Sequence, residues 1–199
     1  MLWLLIAWAL AAPPPEIPGM LIKPRSVTLE PTDLPVAGPD DAEVVVVEVV
    51  DWRCPHCAKA WPVLLDAVRQ APSTRLVLRN FPLSPPCNPT LRGTDAIGQR
   101  CELAAGSICA SQQGRLLAYA QDVFADLDAD VLAQRPWSKR RFSRCLAQDD
   151  AQRVVMEQAR AAQDAGVSGT PTVFVRIEGT WYEAAPWPEV PRLLQALTD

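Results

Sequence analysis

VVVVEVVDWRCPHCAKAWP, from Val44 to Pro62, carries two cysteines with only Pro55 and His56 between them. The β-branched run ahead of them, six valines around Glu48, reads as a strand buried on both faces. Behind them, CAKAWPVLLDAVRQ puts Cys57, Trp61, Leu64, Leu65 and Val68 on one face at helical spacing. The pair is therefore expected at a strand-to-helix junction, on the first turn of the helix. A Cys-x-x-Cys can hold a metal, close a structural loop or turn over as a redox pair. At a helix N-terminus the dipole and the unpaired N–H groups favour a thiolate at Cys54, which points to the third use.

The neighbours of the pair sharpen that reading. His56 is the chain's single histidine, and between two thiols it is expected to stabilise the Cys54 thiolate as a donor or a partial positive charge. Lowering a thiol pKa by three units corresponds to roughly 4 kcal/mol. Because this favours the reduced form, it makes the disulfide a stronger oxidant. Glu48 interrupts the apolar strand six residues before Cys54. Either one strand face reaches solvent there, or Glu48 is a buried proton acceptor that helps deprotonate Cys57. SGTPT, Ser168 to Thr172, sets Pro171 at the first position of a core strand, where proline is tolerated and a cis bond would allow a tight approach.

Working outward, STRLVLRNFPL (Ser73 to Leu83) reads as a second buried strand ended by SPPCNP. Residues 94–163, rich in Ala, Gln, Leu and Arg, have no strand-like run and are expected to form three or four helices. GTPTVFVRIEGTWYEA then gives a strand over Thr172–Ile177, a tight turn at Glu178-Gly179 and a short return strand around Trp181-Tyr182. PEVPRLLQALTD closes the chain as a helix. This order predicts an α/β fold, a thioredoxin-like sandwich with a helical insertion of about seventy residues between its halves.

The 199 residues, 49% hydrophobic, suffice for one well-buried core, expected over residues 40–199. A net charge of −4 from 23 acidic and 19 basic residues argues against nucleic acid as a partner. The basic cluster SKRRFSR, Ser138 to Arg144, reads as a solvated helix face. Eight of the twenty prolines lie between Pro13 and Pro39, an extended leader that contributes at most an early strand near Leu21–Leu29. The first twelve residues, MLWLLIAWALAA, are apolar throughout, yet as a helix they cover about 18 Å against a hydrocarbon core of roughly 30 Å. They read as a signal peptide with an Ala9-Leu10-Ala11 cleavage site, or as an anchor that stays uncleaved, and no basic residue precedes them. Both readings predict an exported protein, in a compartment where disulfides persist.

VVEVVDWRCPHC, with its acid six residues before the first cysteine, and GVSGTPTVFV together resemble the DsbA-type thiol:disulfide oxidoreductases of the bacterial cell envelope, over roughly Asp40 to Leu197. The resemblance implies that Cys54 is the nucleophile, Cys57 the resolving thiol and Glu48 a buried acid. It also implies a cis Pro171 that faces the pair and, with Pro55 and Thr170, meets substrate backbone. Pro62 matches the helix-kinking proline of thioredoxins. NFPLSPPCNP and RCELAAGSICA are similar to DsbA-like domains associated with vitamin K epoxide reductase-like membrane oxidases. The implied cofactor is none beyond the redox-active disulfide. The implied partners are reduced exported proteins and a quinone-linked membrane oxidase, DsbB-like or vitamin K epoxide reductase-like, in the periplasm or cell envelope. Thr170 stands where many strong oxidases have Val, so a reductase or isomerase is the competing direction. Only about forty residues precede the core, and a dimerisation domain is not expected among them. A module that binds a partner or a metal such as copper through Cys54 and Cys57 is the non-enzymatic alternative.

Cys87, Cys101, Cys109 and Cys145 are even in number and are expected as structural disulfides. On one continuous helix Cys101 and Cys109 would stand about 12 Å apart, too far to bond. Unless Gly106 breaks that helix, two pairings remain: Cys87–Cys101 with Cys109–Cys145, or Cys87–Cys109 with Cys101–Cys145. A second redox relay is a further use of these four. A four-thiolate zinc site is the other alternative, disfavoured because the four lack Cys-x-x-Cys knuckles.

Overall fold

A computed structural model of the chain describes residues 17–25, 34–93, 99–134 and 139–198. Its elements are β1 (Leu21–Arg25), β2 (Pro35–Ala37), β3 (Val44–Val50), α1 (Pro55–Gln70), β4 (Thr74–Asn80), α2 (Arg100–Ser111), α3 (Leu116–Ala125), α4 (Val131–Gln134), α5 (Lys139–Leu146), α6 (Asp149–Asp164), β5 (Thr172–Ile177), β6 (Thr180–Ala185) and α7 (Val190–Thr198). They build the α/β thioredoxin-like fold with a helical insertion. The proposed signal or anchor segment lies outside the described residues, as does Ser138 of the basic cluster. No helix among the described residues is long and apolar enough to cross a membrane.

One six-stranded sheet runs in the order β1-β6-β5-β3-β4-β2. β3 lies inside it, parallel to β4 and antiparallel to β5, so Glu48 stands opposite Leu78 on one side and Val173 on the other. The valine run follows from this position. Val46 and Val50 pack with Leu64, Leu65 and Val68 of α1, while Val45, Val47 and Val49 pack with Ala159 and Ala162 of α6. Side chains alternate along a strand, so Glu48 shares the α1 face with Val46 and Val50. The parallel β3–α1–β4 crossover therefore carries the cysteine pair on the sheet face that Glu48 shares, close enough for the acid and both thiols to interact electrostatically.

Among the described residues the helical block holds five helices where three or four were expected, because α4 is a single turn and α5 only eight residues. Its last helix, α6, covers the second face of the sheet. α2 runs unbroken through Gly106, and packing explains the glycine: a Cβ there would lie 2.6 Å from the Tyr119 hydroxyl. On α5, Arg140, Arg141 and Arg144 are exposed and Phe142 is buried, which fits a solvated face around one apolar anchor.

Three expectations change at the ends. The proline-rich segment is not merely a leader, since β1 and β2 form both edges of the sheet and Ile17, Met20 and Leu34 join the core. Pro24 and Pro35 fit there because proline removes a ladder donor and is tolerated at sheet edges. The early strand spans Leu21–Arg25, and residues 26–29 lie outside the described set. The return strand extends over Thr180–Ala185 because it pairs with both β5 and β1. The closing helix opens as a short 3-10 turn at Trp187–Glu189 before α7 begins at Val190.

Candidate active site

β3 ends at Val50, and the next four residues turn the chain into α1. The Asp51 carbonyl accepts the Cys54 N–H at 3.0 Å, and the Asp51 carboxylate accepts the Arg53 N–H at 2.8 Å. Cys54 then occupies the N-cap position with Pro55 at the first helical position, where its fixed φ suits the helix and its missing N–H leaves nothing unsatisfied. No oxygen side chain caps α1. The sulfur of Cys54 stands in that place, and the main-chain N–H groups of His56 and Cys57 reach it.

The two thiols have opposite environments. The Cys54 pKa is lowered from the ordinary 9.0 to about 5, first by a hydrogen bond from the Cys57 thiol, then by Thr170 and the two N–H groups, against an opposing push from burial. That drop corresponds to on the order of 5 kcal/mol of thiolate stabilisation. Cys57 is fully buried, and burial, the hydrogen bond it gives to Cys54 and the charges of Glu48 and Cys54 push its thiol far up. One sulfur is thus shifted toward the thiolate while the other is shifted toward the protonated thiol.

Residue 56 reaches the sulfur through its main chain, and its imidazole is exposed to solvent. Glu48 does not reach solvent. Its side chain is fully buried, neither carboxylate oxygen has a hydrogen-bond partner, and burial followed by the Cys54 charge raises its pKa well above the usual range. An unpartnered buried carboxyl stays protonated beside a thiolate. Across the sulfur, the Thr170–Pro171 peptide is cis and the Thr170 carbonyl accepts from the Cys54 thiol at 3.4 Å. The Thr170 hydroxyl oxygen is buried without a partner in this thiol form, positioned to donate once Cys54 ionises. Pro171, next to the Thr170 carbonyl, is half-buried, and Pro55, next to Cys54, is exposed.

Several supporting residues escaped the sequence reading. Trp52 is fully buried, stacked on Phe124 and edge-on to Tyr119 with ring centroids 5.1 Å apart in each case. Its indole N–H donates to Asn80 Oδ1 at 2.6 Å, and Asn80 Nδ2 donates to Gln158 Oε1 at 2.8 Å and to Ser107 Oγ at 3.1 Å. This buried network joins the motif to α2 and α6. Pro62 lies inside α1, as its resemblance to thioredoxin helices implies.

The other four cysteines form two disulfides, both anchored on α2. Cys87–Cys101 ties the loop after β4 to the first turn of α2, and Cys109–Cys145 ties α2 to α5, with Cα atoms 5.5 and 5.8 Å apart. This is the first of the two pairings that the helix geometry left open. The cavity between α1 and α7, lined by Asp66, Gln70 and Arg192, lies at the far end of α1 from Cys54.

A family model described as Thioredoxin matches residues 31–196. The Na(+)/H(+) antiporter NhaA 3 of Salinispora tropica is 31% identical over 156 residues, 75% of this chain. The chain spans 22% of that relative's length. Among solved structures, a thioredoxin-like oxidoreductase from Silicibacter pomeroyi superposes with a TM-score of 0.64 at 19% identity, covering 84% of this chain and 93% of that one. Pseudomonas aeruginosa DsbA2 does so with a TM-score of 0.62 at 22% identity, covering 80% and 90%. With the family match spanning the helical insertion, the cysteine pair and every strand but β1, the chain belongs to the thioredoxin family.

Proposed function

We propose that the protein is an exported dithiol oxidase that passes a Cys54–Cys57 disulfide to reduced proteins. The observation that carries this reading is the opposition of the two thiols, with Cys54 at about 5 and Cys57 pushed far up. A disulfide whose reduced form is stabilised this way is a strong oxidant.

In the forward reaction a substrate thiolate attacks the Cys54 sulfur of the disulfide. The Cys54–Cys57 bond breaks, and Cys57 leaves with the electron pair. Glu48 lies on the same sheet face and gives its proton to Cys57, or takes one when Cys57 attacks in reverse. A second substrate thiolate then attacks the substrate sulfur of the mixed disulfide, and Cys54 leaves as the stabilised thiolate. The substrate has lost two electrons and the protein has gained them. Return to the disulfide passes both electrons to a quinone-linked membrane oxidase, DsbB-like or vitamin K epoxide reductase-like. The main chain at Thr170 and Pro171, with Pro55 opposite, offers the surface for an extended substrate segment. The apolar N-terminus as signal or anchor, with a periplasmic or cell-envelope location, completes the reading. The match to one part of an antiporter chain supports a place beside a membrane.

Equilibration of the Cys54–Cys57 pair in glutathione buffers, with Cys54→Ser as control, tests the direction of flow. A potential well above thioredoxin's roughly −270 mV is expected. A value at thioredoxin's level would instead make the protein a reductase, and tight metal binding without exchange would make it a binding module.

A further inference from the structure

Asp51 is a buried carboxylate that the proton chemistry above leaves unused. It lies three residues before Cys54, its side chain is fully buried, and it takes partners from three stretches of chain. Oδ1 accepts the Arg53 N–H at 2.8 Å and pairs with the Arg100 guanidinium, while Oδ2 accepts the Leu83 N–H at 2.6 Å. A charge this deep is tolerated only with such a set of partners. Arg100 and its neighbour Gln99 act together: Gln99 Oε1 accepts from the Arg53 guanidinium at 2.5 Å, so the start of α2 grips the residues on both sides of Trp52. The next residue, Cys101, is bonded to Cys87, four residues on from Leu83. That disulfide therefore joins the two segments that hold the carboxylate from outside the motif.

We propose that Arg100 is a positioning residue for thiol-disulfide exchange, acting through Asp51 to fix the turn that delivers Cys54 to the N-terminus of α1. The proposal rests on Cys54 being the exchanging thiol and on nothing else in the oxidase reading. The donors to the thiolate work only at hydrogen-bond distance, and a site held loosely loses them. Burial pushes the Asp51 carboxyl up, and Arg100, with the Leu83 and Arg53 N–H groups, opposes it. Without Arg100, either the carboxyl protonates and the turn slackens, or a bare negative charge faces the sulfur. Both outcomes weaken the thiolate.

The test follows thiolate absorbance against pH in Arg100→Met, Arg100→Lys and Asp51→Asn, with Cys54→Ser as blank and far-UV circular dichroism to check the fold. Arg100→Met is expected to raise the Cys54 midpoint by about one unit, a tenfold loss of thiolate stability, and Arg100→Lys to recover most of it. In the Asp51→Asn background Arg100→Met adds less than about twofold, because its effect runs through the carboxylate. A folded Arg100→Met with the parent midpoint, or full additivity with Asp51→Asn, overturns the proposal. Should Arg100→Met fail to fold, Cys87→Ala/Cys101→Ala decides, since it keeps both charges and frees the frame: a raised midpoint supports the proposal and an unchanged one overturns it. A thioredoxin-like potential would sink the oxidase reading and leave this result standing.

Discussion

The molecule holds three cysteine pairs, and the contrast between the one at the start of α1 and the two on α2 is a contrast of surroundings, since the side chains are identical. Cys87–Cys101 and Cys109–Cys145 join elements that already pack, and close loops of 14 and 36 residues in sequence separation. Cys54 and Cys57 lie within one turn of one helix and join nothing. What they have instead is polarity: N–H donors and a thiol on one sulfur, an unpartnered acid and full burial on the other. A disulfide stabilises by restricting the unfolded chain, whereas a redox pair needs its reduced form stabilised, and under the proposed function the two pair types divide along that line.

The sharpest way to break the contrast is to remove its proposed nucleophile, Cys54. Cys54→Ser is expected to abolish exchange with glutathione and with a reduced model protein, while Cys57→Ser accumulates a mixed disulfide visible by mass spectrometry. Retained exchange in Cys54→Ser would move the chemistry to α2. Next in size, Glu48→Gln keeps the shape and removes the titrating proton. The resolution step should slow by roughly 10²-fold, the low end of general acid–base effects, and stability at neutral pH should rise, because an acid whose pKa is raised on folding costs stability as pH climbs past its unfolded value.

The contrast is sharpened further by pH. The Cys54 pKa is depressed from 9.0 to about 5 in the reduced fold, so its thiolate stabilises that fold fully above pH 9 and loses this contribution as pH falls toward 5. In the oxidised protein Cys54 does not titrate. Thermal unfolding of both forms should therefore show a reduced-minus-oxidised gap that shrinks between pH 9 and pH 5 and is flat below. The smallest effect on exchange is expected from Cys109→Ala/Cys145→Ala: unchanged kinetics with a stability loss of about 4 kcal/mol, measured by denaturant unfolding. A large loss of exchange there would show α2 and α5 to be part of the reaction.

Much of this was legible in the chain because it is local. A six-valine strand, two cysteines, a helix of period 3.6 and a Thr-Pro at a strand start lie in short windows with strong periodicity. Glu48 stood out for the same reason, as one charge in an apolar run. The Asp51–Arg100 pair did not, since its members are 49 residues apart and an acid after a strand is an ordinary loop residue. Of the edge strands, β1 was anticipated in spite of Pro24, whereas β2 was masked by Pro35, which read as leader until β4 pairs with it. α6 gave little warning that it covers a sheet face, because it does so with Ala159 and Ala162, residues of low hydrophobic contrast. The contribution of the residue 56 main chain was not legible, since any residue at that helical position supplies the same N–H.

The central claim is that the fold makes Cys54 a thiolate at neutral pH while Cys57 keeps its proton. Titration of the reduced protein by thiolate absorbance, with Cys54→Ser and Cys57→Ser run alongside, measures this directly. One transition near pH 5 that vanishes in Cys54→Ser is the expected result, and a first transition near pH 9 would contradict it.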